Sequence, residues 1–186
     1  MRRFKLTIQV LILLSLIPFS AFGEVAYSFD VSNSYYASIP HFEDELPFRS
    51  SDATSVALGL IGYEATPWGV SLDLSSLYVT DSLPFGNYIA RGFCNIGLRI
   101  RGSYQFTPVF SLFGSIGSEV NFYHKIEEAF ASFSVQLGPQ FRLPTSIRHH
   151  LNLTIPITVH LRKEITAPMI GIGLRYSYIP NEEHPT

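Results

Sequence analysis

The chain has 186 residues, with thirteen Lys and Arg against fifteen Asp and Glu and a formal net charge of −2 at pH 7. That length suits one domain, and an acidic balance gives no support to nucleic-acid binding. The lone cysteine, Cys94, cannot close an internal disulfide, so this is not a stapled secreted scaffold.

Residues 1–23 read as a secretory signal. Arg2, Arg3 and Lys5 form a basic start, residues 6–19 are almost unbrokenly apolar, and Ala21-Phe22-Gly23 supplies small residues for cleavage. The apolar run is too short for a good membrane helix. No cysteine follows it, so a lipoprotein route is closed. The mature chain is expected to start near Glu24, with ten cations against fifteen carboxylates. Beyond the signal, no apolar run approaches the roughly 20 residues of a membrane helix. Any further crossing of a membrane has to use strands.

After Glu24 the dominant period is two. In the first segment Val25, Tyr27, Phe29 and Val31 alternate with Ala26, Ser28, Asp30 and Ser32. The second, residues 54–62, sets Val56, Leu58 and Leu60 against Ser55, Ala57 and Gly59, and Ile61 breaks the rule. The third sets Trp68, Val70, Leu72, Leu74 and Tyr78 against Gly69, Ser71, Asp73 and Ser75. The fourth carries Tyr88, Ala90, Cys94, Ile96, Leu98, Ile100, Tyr104 and Phe106. Its other face holds Arg91, Asn95, Arg99, Arg101 and Ser103.

The fifth sets Phe110, Leu112, Ile116, Val120 and Phe122 against Ser111, Ser115, Glu119 and Asn121. The sixth sets Ala129, Ala131, Phe133, Val135, Leu137 and Phe141 against Ser132, Ser134, Gln136, Gln140 and Arg142. The seventh sets Leu151, Leu153, Ile155, Ile157, Val159 and Leu161 against Asn152, Thr154, Thr158, His160 and Arg162. The eighth, residues 166–178, has Pro168, Ile170, Ile172, Leu174, Tyr176 and Tyr178 on one face. Ala167, Met169, Gly171, Gly173, Arg175 and Ser177 lie on the other.

About 9–11 tilted residues cross a bilayer, and these segments are long enough. The connections tend to alternate in length. Residues 37–52 read as a long polar loop, 63–67 as short, 80–86 as intermediate, and 107–108 as very short. Residues 123–128 and 143–148 are moderate, and 162–165 short. Pro67 and Pro108 fall at turns, where a missing N–H costs no ladder bond. Residues 180–186 read as a tail.

In hydrocarbon every backbone polar group must be paired, and a sheet achieves this only by closing on itself. The expectation is an all-β fold: an eight-stranded antiparallel up-and-down transmembrane barrel over residues 24–179, with both termini periplasmic. The aromatic residues near segment ends, such as Tyr27, Trp68, Tyr104, Phe141 and Tyr178, suit interfacial girdles.

In this pattern the chain resembles the small OmpA/OmpX-type outer-membrane β-barrels, over essentially all of residues 24–179. Stretches such as Tyr104-Gln-Phe-Thr-Pro-Val-Phe and Ser134-Val-Gln-Leu-Gly-Pro-Gln-Phe141 look like its hairpins. The resemblance implies the outer membrane of a Gram-negative or other diderm bacterium, with lipid and the outer-membrane assembly machinery as partners. It also implies a terminal aromatic residue as an assembly signal. Here the last alternating strand ends at Tyr178 and eight residues follow.

Six inward charges form the candidate site: Asp73, Arg99, Arg101, Glu119, Arg142 and Arg175. If the 107–108 turn pairs residues whose numbers sum to about 216, Arg99 sits opposite Gly117 and Arg101 opposite Ser115. Glu119 is then diagonal to Arg99 and is expected to pair with it. The expected role is a plug of mutually satisfied ions; a gated pore is the alternative. His149 and His150 point to opposite faces and do not suit one metal ion. His160 points inward without an obvious second ligand. No G-x-S-x-G motif or phosphate loop is present. No enzyme activity, cofactor or metal is expected. The expected function is structural or surface-interacting, with residues 37–52 as the place for a host or environmental ligand. The alternatives are a narrow channel for small or hydrophobic molecules, as in OmpW-like barrels, and a soluble lipocalin-like barrel.

Overall fold

A computed structural model describes residues 24–40, 49–65, 67–79, 93–123, 126–146, 148–161 and 165–180. The signal-like segment, residues 41–48, Tyr88, Ala90, Arg91, Arg162 and the tail from Asn181 lie outside them. Among the described residues the strand segments are β1 (Glu24–Val25), β2 (Tyr27–Pro40), β3 (Arg49–Ala65), β4 (Trp68–Val79) and β5 (Phe93–Gln105). They continue with β6 (Phe110–Tyr123), β7 (Ile126–Leu143), β8 (His149–Thr154), β9 (Ile157–Leu161) and β10 (Ile165–Tyr178).

These ten segments make eight staves. β1 and β2 are one strand on either side of Ala26, whose N–H donates to Gly62 O at 2.8 Å. β8 and β9 are one strand interrupted at Ile155-Pro156, where proline has no N–H to give the ladder. Their pairing continues in the same register past the break: Gln140 faces Thr154 and Leu137 faces Ile157. Each stave pairs antiparallel with its chain neighbour, and β10 pairs with β2 from Ile165↔Pro40 to Tyr178↔Tyr27. That last pairing closes the barrel. Among the described residues no stave is left without a neighbour on either side, as a bilayer requires.

The strands reach further than the alternation suggested. β2 runs to Pro40 and β3 starts at Arg49, so both ends of the expected 37–52 loop are strand. A residue opposite a strand partner must follow its ladder, and polar residues do so when they face the lumen or the headgroups.

The two faces divide as the period demands. Leu58, Val70, Ile96, Ile116, Leu137, Ile170 and Ile172 are all exposed on the outside. Ser28, Ser32, Ser75, Asn95, Ser115, Ser134 and Asn152 are buried inside. A soluble lipocalin-like barrel would reverse this arrangement, so that alternative is overturned. The outward apolar belt needs a hydrocarbon solvent.

The two ends of the barrel differ. The turn end carries the short connections after β3, β5 and β7 and brings Tyr27 beside Tyr178. Its outer rim is aromatic. Trp68, Tyr104, Phe106, Phe110 and Phe141 follow one another at ring-centroid distances of 4.6, 4.8, 5.8 and 5.5 Å. At the loop end the lumen turns apolar: Tyr36, Ala53, Leu77, Val79, Ala167 and Met169 pack into one buried cluster.

Candidate functional site: the ion-filled lumen

The middle of the lumen holds charges that the ladder places opposite one another. Asp73 on β4 faces Arg99 on β5, and Arg175 on β10 faces Asp30 on β2. The β5–β6 register pairs Arg99 with Gly117 and Arg101 with Ser115, which leaves room for both guanidinium groups. Gly97 opposite Glu119 has the same role: a Cβ there would lie 2.5 Å from Glu119 Cγ.

Asp73 is the centre, with 0% of its surface exposed. Arg175 Nη1 donates to its Oδ2 at 3.2 Å, and Arg99 Nη2 is 3.9 Å from the same oxygen. Arg175 Nη2 also donates to Ser28 Oγ at 2.8 Å and to Ser71 Oγ at 3.0 Å. Arg101 reaches across the lumen to Asp30 at 3.6 Å and donates to Gln140 Oε1 at 2.7 Å. Its guanidinium carbon sits 3.7 Å above the centroid of the buried Phe113 ring. Arg99 donates from Nη1 to Gln136 Oε1 at 3.2 Å, and Gln136 in turn donates to Thr158 at 3.0 Å.

Glu119 does not pair with Arg99, contrary to the diagonal expectation. Its Oε1 accepts from Ser134 at 2.6 Å, and its Oε2 from Ser132 at 3.1 Å and Asn95 at 3.3 Å. His160 Nδ1 lies 2.9 Å from the same Oε2. These donors occupy the carboxylate, and Arg99 turns toward Asp73 and Gln136 instead. His160, which had no evident partner in the sequence, gains one. Ser134 is the register partner of His160, and its hydroxyl, like that of Ser132, donates to Glu119.

Arg142 is also separate from the central group. It sits at the turn end, where its Nη2 lies 3.0 Å from His150 Nδ1. Of the six predicted residues, the structure therefore unites four: Asp73, Arg99, Arg101 and Arg175. It adds Asp30, and it places Glu119 with His160 and Arg142 with His150.

The lumen narrows around the central group. On each side of it the free space shrinks to a void of about 20 Å³, room for about one water molecule. Toward the turn end it widens into a cavity of about 330 Å³.

A closed antiparallel barrel of this size has known counterparts. The fold is that of the small bacterial outer-membrane barrels. Ail, the attachment invasion locus protein of Yersinia pestis, superposes with a TM-score of 0.51 at 12% identity, over 84% of this chain and 100% of that one. The Neisserial surface protein A superposes with a TM-score of 0.54 at 10% identity, over 81% and 97%. Ail has also been solved in complex with the heparin analogue sucrose octasulfate, at a TM-score of 0.48 and 11% identity over 83% and 99%. No protein-family model and no curated protein sequence matches this chain.

Proposed function

We propose that this protein is a non-enzymatic outer-membrane barrel with a structural or surface-interaction role, and that its lumen is plugged. One observation carries the reading: free space on both sides of the Asp73 group falls to about 20 Å³. The buried apolar cluster around Tyr36 and Met169, toward the loop end, also favours a filled lumen. On the usual rule the short turns face the periplasm and the longer connections face outside. The exterior loops then carry the interactions, with lipid around the belt and the assembly machinery as partners in biogenesis.

The loop between β2 and β3 contains Glu43-Asp44-Glu45 in succession. A sulfated polyanion of the kind bound to Ail would be repelled there. A basic or cationic ligand suits it better. Planar-bilayer recording tests the plug: insertion without stable conductance supports it, and a persistently open channel overturns it in favour of the narrow conduit.

A further inference from the structure

The cavity at the turn end has chemistry of its own. It measures about 330 Å³ and is lined by Glu64, Gln140, Arg142, His150, Asn152 and Ser103, among others. The Arg142 guanidinium has one hydrogen-bond partner among the described residues, His150. A guanidinium has five N–H donors in a planar fork that matches oxyanions. Most of this fork is unused, at the edge of a space large enough for a small ligand.

His150 Nδ1 stands between two claims. Arg142 Nη2 is 3.0 Å from it and Glu64 Oε2 is 3.2 Å from it. One nitrogen cannot serve both. A neutral ring with its proton on Nε2 accepts from Arg142. A protonated ring donates to Glu64 and has no lone pair left for Arg142. The charge of the lining changes with it. Arg142 and Glu64 cancel while His150 is neutral; protonation adds one positive charge and frees the guanidinium.

Among the described residues, other groups also lie around His150, and Glu24 is the register partner of Glu64. On β10 the register partner of His150 is Ser177. Arg175 lies deeper and is held by Asp73, Ser28 and Ser71. On β7 the facing groups are Arg142 and the neutral Gln140. β4, β5 and β6 contribute Gly69, Ser103 and Ser111, which do not titrate. Arg148 in the adjoining turn is exposed, and His149 points to the outer face beside Tyr176.

We propose that the turn-end cavity is a small-oxyanion site that opens on acidification, with Arg142 as its anchor and His150 as its switch. Sulfate is the probe, because its charge does not change over the range. Titration into the full-length barrel in detergent micelles, followed by NMR of the Arg142 side chain, is run at about pH 5.5 and about pH 7.5, on either side of an ordinary imidazole.

Binding should tighten about tenfold or more at the lower pH, since one unit charge about 5 Å from a dianion supplies at least that in a water-like medium. Arg142→Gln should lose the site. Glu64→Gln should bind more tightly than wild type at neutral pH, because its lining is net positive there. His150→Gln, whose amide oxygen keeps accepting from Arg142, should bind weakly at both. Heat-shifted gel mobility verifies that each variant is folded. Equal wild-type affinity at the two pH values overturns the switch, and unchanged sulfate binding by folded Arg142→Gln overturns the site. If Arg142→Gln does not fold, the wild-type pair and Glu64→Gln still decide. Conductance measures the plug, so each proposal can fail without the other.

Discussion

Asp73 carries a heavy electrostatic burden. It is fully buried and answers two arginines, Arg175 and Arg99. Removing one partner of a buried ion group costs about 3–5 kcal/mol, because a charge is left without compensation. Asp73→Ala should lower the free energy of unfolding by about that much. Urea unfolding in lipid vesicles, followed by the fluorescence of Trp68, reads it; a midpoint equal to wild type would reject the burden. At Glu119 a double-mutant cycle separates the two pairings. Glu119 and His160 should couple by about 0.5–3 kcal/mol, and Glu119 and Arg99 should add independently. Coupling to Arg99 of the larger size would restore the diagonal pair. The phase of the strands revealed which charges point inward. It did not reveal partners across the lumen. Arg101 and Asp30 lie on β5 and β2, three staves apart in sequence, and meet only because the barrel is narrow.

At the scale of the strand, one exception in the sequence turns out to be structural. Ile61 breaks the alternation of its segment. The ladder between β3 and β4 shifts there: Gly59 faces Asp73 and Ile61 faces Leu72, with Leu60 as the extra residue of a bulge. An extra residue restarts the period, so Ile61 and Tyr63 regain the outer phase and Gly62 and Glu64 turn inward. Without that shift Glu64 would miss His150. The missed lumen residue Phe113 has a simpler cause. It occupies an inward position on β6, but its type is apolar, and only its contact with Arg101 explains it. Two glycines give the element-level prediction. A Cβ at Gly138 would lie 2.2 Å from Ile155 O and 3.2 Å from Phe113 Cε1, where β7 meets the Pro156 interruption. At Gly102 nothing lies within 4 Å. Gly138→Ala should therefore cost about 1–3 kcal/mol by overpacking, and Gly102→Ala should stay within about 0.5 kcal/mol. Equal urea midpoints for the two variants would contradict the close packing at Gly138.

For the whole molecule the deciding quantity is the solvent around the belt. Alternation alone is compatible with a barrel that is apolar inside or apolar outside. The charges on the small-residue face break that symmetry, because Asp30, Asp73, Arg99, Arg101 and Arg175 come within ion-pair reach of one another only inside a closed lumen. Their phase makes the inside-out barrel legible in the sequence. The belt then makes a depth-dependent prediction. Leu74 lies midway along β4 on the outer face, and Val109 lies in the turn after β5; both are exposed. In hydrocarbon an outward arginine costs about 2–4 kcal/mol at the midplane and about 0–1 kcal/mol near the interface. Leu74→Arg should lower stability in vesicles by the larger amount and Val109→Arg by little. In water both positions are already solvated, and the two substitutions would cost the same small amount. Unfolding of the pair in vesicles of one lipid composition therefore reads the belt directly: a difference near zero would remove lipid from around Leu74, and a difference of about 2 kcal/mol or more places it in the hydrocarbon.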